Sequence, residues 1–217
     1  MSGSHLDSVL ERAEALRALI AAHATRPTTV VAVTKRFGAE AVVAAMAAGI
    51  DDIGENYAQE LAVKASSPLL ADSAPRWHFI GHLQRNKVRQ VAGLVSLWET
   101  IDSRKLGTEI AKRAPGASVL VQVNTSGAET QSGIDMDGVH GVVDELRGLD
   151  LDVRGLMTIG SIGDSEMSRK NFSDLRSVAD DLELPDCSMG MSQDLVPALE
   201  EGSTIIRVGT LLFGPRP

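Results

Sequence analysis

A lysine stands at the end of the first strongly apolar run of the chain. Residues 30–35 read VVAVTK, so Thr34 and Lys35 close a run whose valines favour a buried strand. A charge at a strand end usually turns its ammonium to solvent. If the strand instead opens into a desolvated cavity, burial favours the neutral amine, a nucleophile able to form a Schiff base with a carbonyl compound. The surrounding elements decide between these two interpretations of Lys35.

Polar groups also follow several other apolar runs. They are glycines, amides, hydroxyls and basic side chains, which are the groups that bind small polar ligands. In chain order they are Lys35; Gly54, Glu55 and Asn56; Gly81, His82, Gln84, Arg85, Asn86 and Lys87; Met157 and Thr158; Gly190, Met191 and Ser192; and Arg207, Gly209 and Thr210.

The elements that carry these groups alternate between strand and helix. A helix is predicted over 6–24, and helices separate predicted strands at 29–35, 52–55, 77–81, 97–101, 118–123, 153–158, 186–190 and 204–208. This pattern predicts an α/β fold, a single closed (β/α)8 TIM barrel with an extra N-terminal helix. An open doubly wound sheet is the alternative, although no GxGxxG follows the first strand. Both folds gather the carboxyl ends of the strands at one edge.

The last two strand ends are suited to binding phosphate. Barrels commonly bind phosphate with the loops after their last two strands. Gly190 and Gly209 allow close backbone approach, Ser192 and Thr210 supply hydroxyls, and Ser192 is also placed to cap a helix starting at Gln193. The alternatives are a plain N-cap for Ser192 and an ordinary turn for Gly209.

A phosphate site opposite Lys35 indicates a phosphorylated aldehyde, and pyridoxal 5'-phosphate is the obvious one. Arg207 lies two residues before Gly209 and is predicted to point into the barrel towards the pyridine nitrogen. A guanidinium only donates hydrogen bonds, so that nitrogen must stay unprotonated, which weakens the ring as an electron sink. The alternative for Arg207 is a salt bridge to an acidic side chain inside the barrel.

Composition limits the possible partners. The 217 residues are 43% hydrophobic without a linker-like tract, which predicts one domain over 1–217, with residues 1–5 (MSGSH) frayed or derived from a tag. A net charge of -8 and 3% aromatic residues argue against nucleic acid as a partner. The single Cys187 excludes an intramolecular disulfide and a multi-thiolate metal site. The sequence contains no signal peptide or membrane-length apolar run, so we expect a cytoplasmic protein without a membrane partner.

Six motifs together resemble the pyridoxal-phosphate homeostasis family, the YggS/PROSC-type proteins related to the alanine racemase N-terminal barrel. They are VVAVTK, GENYAQELAVK, WHFIGHLQRNKV, GLMTIG, CSMGMSQDL and GSTIIRVGTLLFGPR, in family order from about residue 29 to Pro217. The resemblance implies that Lys35 holds pyridoxal 5'-phosphate as an internal aldimine. It implies further cofactor-binding roles for Asn56 and Met157 at the ring, Arg207 at the pyridine nitrogen, and Ser192, Gly209 and Thr210 at the phosphate.

One position departs from the family pattern. Many members have a lysine before SG in the loop after the fifth strand, whereas this chain reads VNTSGAETQSGI with Gln131 there. A role of that lysine in handling the cofactor therefore does not carry over.

The resemblance implies buffering and delivery of the cofactor, with pyridoxal-phosphate-dependent apoenzymes as partners, rather than turnover. We expect a monomer and no catalytic residue. Racemisation needs an acid and a base on opposite faces of the substrate, and the only tyrosine, Tyr57, is interpreted as a packing residue. Three alternatives stay open: a pyridoxal-phosphate-dependent racemase or related enzyme, an aldolase that uses Lys35 without cofactor, and a protein-binding module.

Overall fold

The computed structural model describes residues 3–127, 131–160 and 165–215, with the side chains of residues 3–5 and 165 outside the description. Its strands are β1 Thr29–Val33, β2 Asp52–Glu55, β3 Arg76–Phe79, β4 Val95–Ile101, β5 Ala117–Asn124, β6 Ile134–Asp135, β7 Leu151–Met157, β8 Asp186–Ser188 and β9 Ile205–Val208. Its α-helices are α1 Gly3–His23, α2 Ala39–Ala47, α3 Ala58–Ala65, α4 Val88–Val91, α5 Arg104–Arg113, α6 Val139–Arg147, α7 Ser165–Asp181, α8 Leu195–Glu200 and α9 Thr210–Phe213. None of these helices is long and apolar enough to cross a membrane.

Eight of the strands close into a parallel barrel. The hydrogen-bonded order is β4, β3, β2, β1, β9, β8, β7 and β5, and β4 pairs with β5 to close the circle. The two-residue β6 pairs only with β5, outside this circle. The predicted barrel is therefore confirmed, and each predicted strand overlaps one of the eight barrel strands.

The residues of the strands divide between two buried regions. Outward-facing side chains such as Ile53, Trp98 and Leu156 pack against the helices in a large apolar layer. A small second cluster, formed by Val31, Leu97, Leu120, Met157 and Ile205, fills part of the barrel interior. Because the strands are buried on both faces, they read as continuous apolar runs in the sequence.

Helix α1 completes the outer ring of helices. It packs against α2, α8 and the short α9. Arg12 in the middle of the helix donates to the carbonyl oxygen of Leu212, and His23 at its end contacts Glu200 at 3.0 Å. The predicted N-terminal helix is thus part of the barrel layer. It begins at Gly3, three residues earlier than expected, and Met1 and Ser2 lie outside the described residues.

The first strand ends earlier than the sequence indicates. The strand predicted over 29–35 stops at Val33, and the amide of Phe37 donates to the carbonyl oxygen of Thr34 to close a turn. Arg36 within this turn has a φ of 66°, a left-handed conformation that breaks the strand geometry. Lys35 therefore lies in a turn at the barrel mouth.

Candidate functional site at the barrel mouth

The seven predicted cofactor-binding residues lie at or after the carboxyl ends of five neighbouring strands. In the barrel, β2, β1, β9, β8 and β7 are consecutive. All are parallel, so their carboxyl ends open at the same mouth. Met157 ends β7 and Arg207 lies within β9; the others follow their strands, namely Lys35 after β1, Asn56 after β2, Ser192 after β8, and Gly209 and Thr210 after β9.

Helix α3 holds the turn that carries Lys35. On one side of Lys35, the ammonium of Lys64 donates to the carbonyl oxygen of Thr34 at 2.7 Å. On the other side, the amide of Arg36 donates to Glu60 Oε2 at 2.8 Å. Glu60 and Lys64 are one helical turn apart and also approach each other at 3.7 Å. Lys35 is partly buried, and the backbone on both sides of it is therefore fixed by one helix.

A buried ion pair lies behind this turn. Glu55 is fully buried between the barrel and α3, where it pairs with Lys64 and accepts a 2.6 Å hydrogen bond from the Thr34 hydroxyl. Burial raises the pKa of Glu55, while Lys64 and Thr34 oppose the shift. Lys64 supplies the cation that makes this buried carboxylate tolerable.

Arg207 and Met157 belong to the barrel interior. Met157 is 1% exposed and packs in the interior cluster. The Arg207 guanidinium donates from Nη1 to Ser188 Oγ at 2.5 Å and from Nη2 to the carbonyl oxygen of Thr158 at 2.7 Å. Its Nη1 also lies 3.8 Å from Glu99 Oε2, so the alternative of an acidic partner inside the barrel is realised. A guanidinium carries more N–H donors than these contacts use, so donors remain for a ligand.

The residues expected to bind phosphate differ in their surroundings. Gly209 lies beside β1, because a Cβ added to it would sit 3.4 Å from the Val33 carbonyl oxygen. Thr210 is exposed at the first residue of α9, and Ser192 is half-buried in the turn after β8. The predicted capping role of Ser192 is wrong, because α8 begins at Leu195 with Asp194 at the N-cap position. Asp194 Oδ1 instead accepts from the amide of Met191, which closes that turn.

Asn56 presents an unsatisfied polar atom. Its Oδ1 is buried and has no hydrogen-bond partner among the described residues. Its backbone lies against Gly81, where a Cβ would come within 2.1 Å of the Asn56 carbonyl oxygen, so a side chain at position 81 would displace this loop. A buried amide oxygen without a partner is unfavourable, which indicates a ligand group at this strand end.

Sequence reasoning missed a set of polar residues inside the barrel. The interior polar chain, as we name it, runs from Arg207 through Ser188, Glu99 and His78 to Asp52. Ser188 Oγ contacts Glu99 Oε2 at 2.5 Å, Glu99 Oε1 contacts His78 Nδ1 at 2.6 Å, and His78 Nε2 contacts Asp52 Oδ1 at 3.0 Å. The available signal was a carboxylate, Glu99, inside the apolar strand LWETI.

Hydrogen bonding sets the protonation of this chain. Burial alone would lower the pKa of His78, but hydrogen bonds and charge interactions with Asp52 and Glu99 raise it to about 9. Burial alone would raise the pKa of Asp52, but contacts with His78 and Arg76 lower it to about 2. The pKa of Glu99 is also lowered, because contacts with His78, Arg207 and Ser188 outweigh its burial. The barrel interior therefore holds ionised carboxylates and an imidazolium.

Gln131 fixes the loop between β5 and β7. Its side-chain Nε2 donates to the carbonyl oxygen of Ile159 at 2.9 Å, and its Oε1 accepts from the Ser126 hydroxyl. Asn124 donates to its backbone oxygen at 3.2 Å. The side-chain amide therefore ties this loop to the segment after β7 as a donor, and it accepts from Ser126 within the loop, a contact that an ammonium in its place could not make.

One cavity lies away from the mouth. A space of about 430 Å³ separates α1 from the amino ends of the first three strands, with Arg17, Ile50, Asp51 and Arg76 in its wall. It is at the other end of the barrel from Lys35. Among the described residues, no cluster of three or more His, Cys, Asp or Glu side chains could hold a metal ion.

Several proteins similar to this chain in sequence carry the same name. A pyridoxal phosphate homeostasis protein of Mus musculus is 38% identical over 208 residues, which is 86% of this chain and 76% of that protein. Proteins of the same name from Aquifex aeolicus and Pseudomonas aeruginosa are 41% and 36% identical, covering 77% and 97% of this chain and 78% and 95% of their own length.

Solved structures share the fold. PipY of Synechococcus elongatus, in a structure with PLP bound, matches with a TM-score of 0.83 at 30% identity, covering 95% of this chain and 100% of that one. An alanine racemase from Corynebacterium glutamicum has a TM-score of 0.72 at 17% identity, covering 98% of this chain and 61% of that one, and shows the fold alone. The family model described as "Alanine racemase, N-terminal domain" matches residues 5–217. The chain therefore belongs to the alanine racemase N-terminal domain family, among its pyridoxal phosphate homeostasis proteins.

Proposed function

We propose that this protein binds pyridoxal 5'-phosphate covalently through Lys35 and holds it in a reversible store that contributes to cofactor homeostasis. The main support is the arrangement of the strand ends. Five consecutive strands bring an amine, a buried guanidinium, hydroxyls and a glycine to one mouth. An amine and a phosphate-binding set on neighbouring strands suit a small phosphorylated aldehyde. The related PipY structure carries PLP, which supports the same ligand here.

The residues present are suited to each part of this cofactor. When bound, the cofactor supplies an aldehyde carbon that condenses reversibly with an amine. Lys35 is the amine, in a turn whose neighbouring backbone groups are fixed by α3. Arg207 has further donors for the ring nitrogen, and the buried Oδ1 of Asn56, which has no partner among the described residues, is available to accept from a polar ligand group. Ser192, Gly209 and Thr210 are the proposed phosphate contacts.

The proposed role is storage and delivery without turnover. Arg207 donates hydrogen bonds and does not protonate the ring nitrogen, so it does not strengthen the ring as an electron sink. The only tyrosine of the chain, Tyr57, precedes α3 and is 47% exposed, which is the environment of a surface residue. We further propose that the protein is a cytoplasmic monomer that passes the cofactor to pyridoxal-phosphate-dependent apoenzymes.

The decisive experiment is spectroscopic. The purified protein is incubated with pyridoxal 5'-phosphate, its visible absorption is recorded before and after borohydride reduction, and the modified lysine is located by peptide mass. We expect a yellow protein whose reduced pyridoxyl group is on Lys35. A colourless protein that takes up no cofactor would overturn the proposal and favour the alternative interpretation of Lys35 as a charge that faces solvent.

A matched lysine variant makes the result specific. Lys35→Ala should abolish the absorption band, whereas Lys170→Ala removes an exposed lysine of α7 that pairs with Asp174 and should leave the band unchanged. Turnover is tested separately by exchange of α-deuterium from a panel of amino acids. Rapid exchange that disappears in Lys35→Ala would contradict a storage role and favour a racemase or a related enzyme.

A further inference from the structure

The interior polar chain connects the cofactor end of the barrel to its opposite end. Its members are all buried: Glu99 and Ser188 at 0%, Arg207 at 4%, His78 at 5% and Asp52 at 7% exposure. They come from β9, β8, β4, β3 and β2, so the chain crosses the barrel interior. Polar side chains in such a place are retained only when each is satisfied, and the described hydrogen bonds satisfy them in sequence.

With the carboxylates of Asp52 and Glu99 ionised, the donors and acceptors of the chain permit one arrangement of protons. Arg207 can only donate, so Ser188 Oγ accepts from it and must direct its own proton to Glu99. Both ring nitrogens of His78 face carboxylate oxygens, Glu99 Oε1 and Asp52 Oδ1. Only an imidazolium donates from both nitrogens at once.

The charges around His78 are mutually balanced. Asp52 on β2 and Glu99 on β4 are the two carboxylates in contact with it. Asp52 is also held by Arg76, through Nε at 2.8 Å and Nη2 at 2.6 Å, and Glu99 lies 3.8 Å from Arg207. Each carboxylate is thus shared between His78 and an arginine. Loss of the imidazolium charge would leave each carboxylate with its arginine as the remaining cationic contact.

We propose that His78 and Glu99 are positioning residues for Arg207. His78, as an imidazolium, anchors Glu99 against β3, and Glu99 through Ser188 fixes the orientation in which the Arg207 guanidinium donates to the ring nitrogen of the bound cofactor. This inference rests on the proposed function, because it assigns Arg207 to the ring.

The charge of His78 is measured without any cofactor. Nitrogen-15 NMR of histidine-labelled protein reports whether each ring nitrogen carries a proton, and His78→Gln identifies the signals of this residue. We expect both nitrogens of His78 to be protonated at pH 7.5. A neutral tautomer of His78 at pH 7.5 would overturn the proposal.

The link to the ring nitrogen is tested with an analogue of pyridoxal 5'-phosphate in which C–H replaces that nitrogen. The wild-type protein should bind the natural cofactor about tenfold or more tightly than the analogue, the value of a hydrogen bond to a charged group. Glu99→Gln should lose most of this preference while still forming the Lys35 adduct. Ser188→Ala is the second variant, and it should also lose most of the preference for the natural cofactor while still forming the Lys35 adduct.

Glu109→Gln is the matched control, because Glu109 pairs with Arg113 on the surface of α5. It should retain the wild-type preference. If Glu99→Gln and Ser188→Ala also retain it, the positioning role is wrong although the proposed function stands. If the wild-type protein binds neither compound, the proposed function fails and the positioning role fails with it.

Discussion

The ammonium of Lys64 donates a 2.7 Å hydrogen bond to the carbonyl oxygen of Thr34, the residue before Lys35. The same ammonium pairs with the fully buried Glu55, which accepts from the Thr34 hydroxyl. Two lysines with different tasks therefore meet at one strand end. Lys64 fixes the backbone from outside the barrel, and Lys35 lies in the turn at the mouth.

Removing the Lys64 charge should destabilise the protein severely. Lys64→Met leaves the Glu55 carboxylate buried without its cation, which typically lowers the free energy of unfolding by about 3 to 5 kcal/mol. Urea denaturation measures the change. The double variant Lys64→Met with Glu55→Gln should recover part of the loss, because it removes the uncompensated charge. A double variant less stable than Lys64→Met would show that the buried charge is not the cause.

The stability of the protein should fall at alkaline pH because of His78. Its pKa is raised from 6.5 to about 9, so its stabilising contribution is complete below about pH 6.5 and is lost as the pH rises through about 9. A shift of this size corresponds to about 3 kcal/mol in the free energy of unfolding. Urea denaturation between pH 6 and pH 9.5 should show this decline in the wild type and a flatter profile in His78→Gln. Parallel profiles would contradict it.

Substitution of the hydroxyls at the mouth should separate phosphate binding from lysine chemistry. Ser192→Ala together with Thr210→Ala removes two proposed phosphate contacts, each worth about 1.5 to 3 kcal/mol. We expect the dissociation constant for pyridoxal 5'-phosphate to rise at least about 100-fold, whereas that for pyridoxal, which lacks the phosphate, should barely change. Thr108→Ala on α5 is the control. Unchanged retention by the double variant would place the phosphate elsewhere.

Alanine at Gly209 should affect ligand binding more than folding. The added Cβ would meet the Val33 carbonyl oxygen at 3.4 Å and the Val33 Cβ at 3.6 Å, which are ordinary contacts, so stability should change by less than about 1 kcal/mol. Gly155→Ala provides the contrast, because its Cβ would lie 2.0 Å from the Asp186 carbonyl oxygen and should separate β7 from β8. Thermal unfolding and cofactor titration of both variants measure the difference. A Gly209→Ala protein with wild-type affinity would remove Gly209 from the phosphate site.

The single cysteine should report unfolding. Cys187 is fully buried, and burial raises its pKa to about 12, so the native thiol is protonated and shielded. We expect iodoacetamide to modify Cys187 only at the rate at which the protein opens, and rapidly in concentrated urea. Fast modification of the folded protein would show that β8 opens locally.

The eight barrel strands could be predicted because each is a short apolar run between helical segments. The interior polar chain could not, since a strand buried on both faces gives no alternation from which the inward side can be read. Glu99 lies between Trp98 and Thr100, and only the closed barrel shows that it turns towards His78 and Ser188. The wrong prediction of a cap at Ser192 has a different cause, because the helix begins two residues later than its sequence indicates and Asp194 occupies the N-cap position.

The mouth predicted from the sequence joins residues from both halves of the chain. The apolar run before Lys35 and the two-residue spacing of Arg207 from Gly209 indicate these two residues in the sequence. Their proximity in space depends on the pairing of β1 with β9. Val31 pairs with Arg207 and Ala32 with Val208 in this ladder. No local pattern specifies that contact, and the fold class supplies it.

The pairing of β1 with β9 also determines when the site can exist during folding. The pairing of β1 with β9 joins segments that are separated in the sequence by nearly the whole barrel. Such a contact has a high entropic cost and is expected to form late. A nascent chain that has not yet added β9 contains Lys35 but lacks Arg207, Gly209 and Thr210. If Arg207, Gly209 and Thr210 bind pyridoxal 5'-phosphate as proposed, uptake of the cofactor would select finished molecules, and the bound ligand would stabilise them against unfolding and proteolysis.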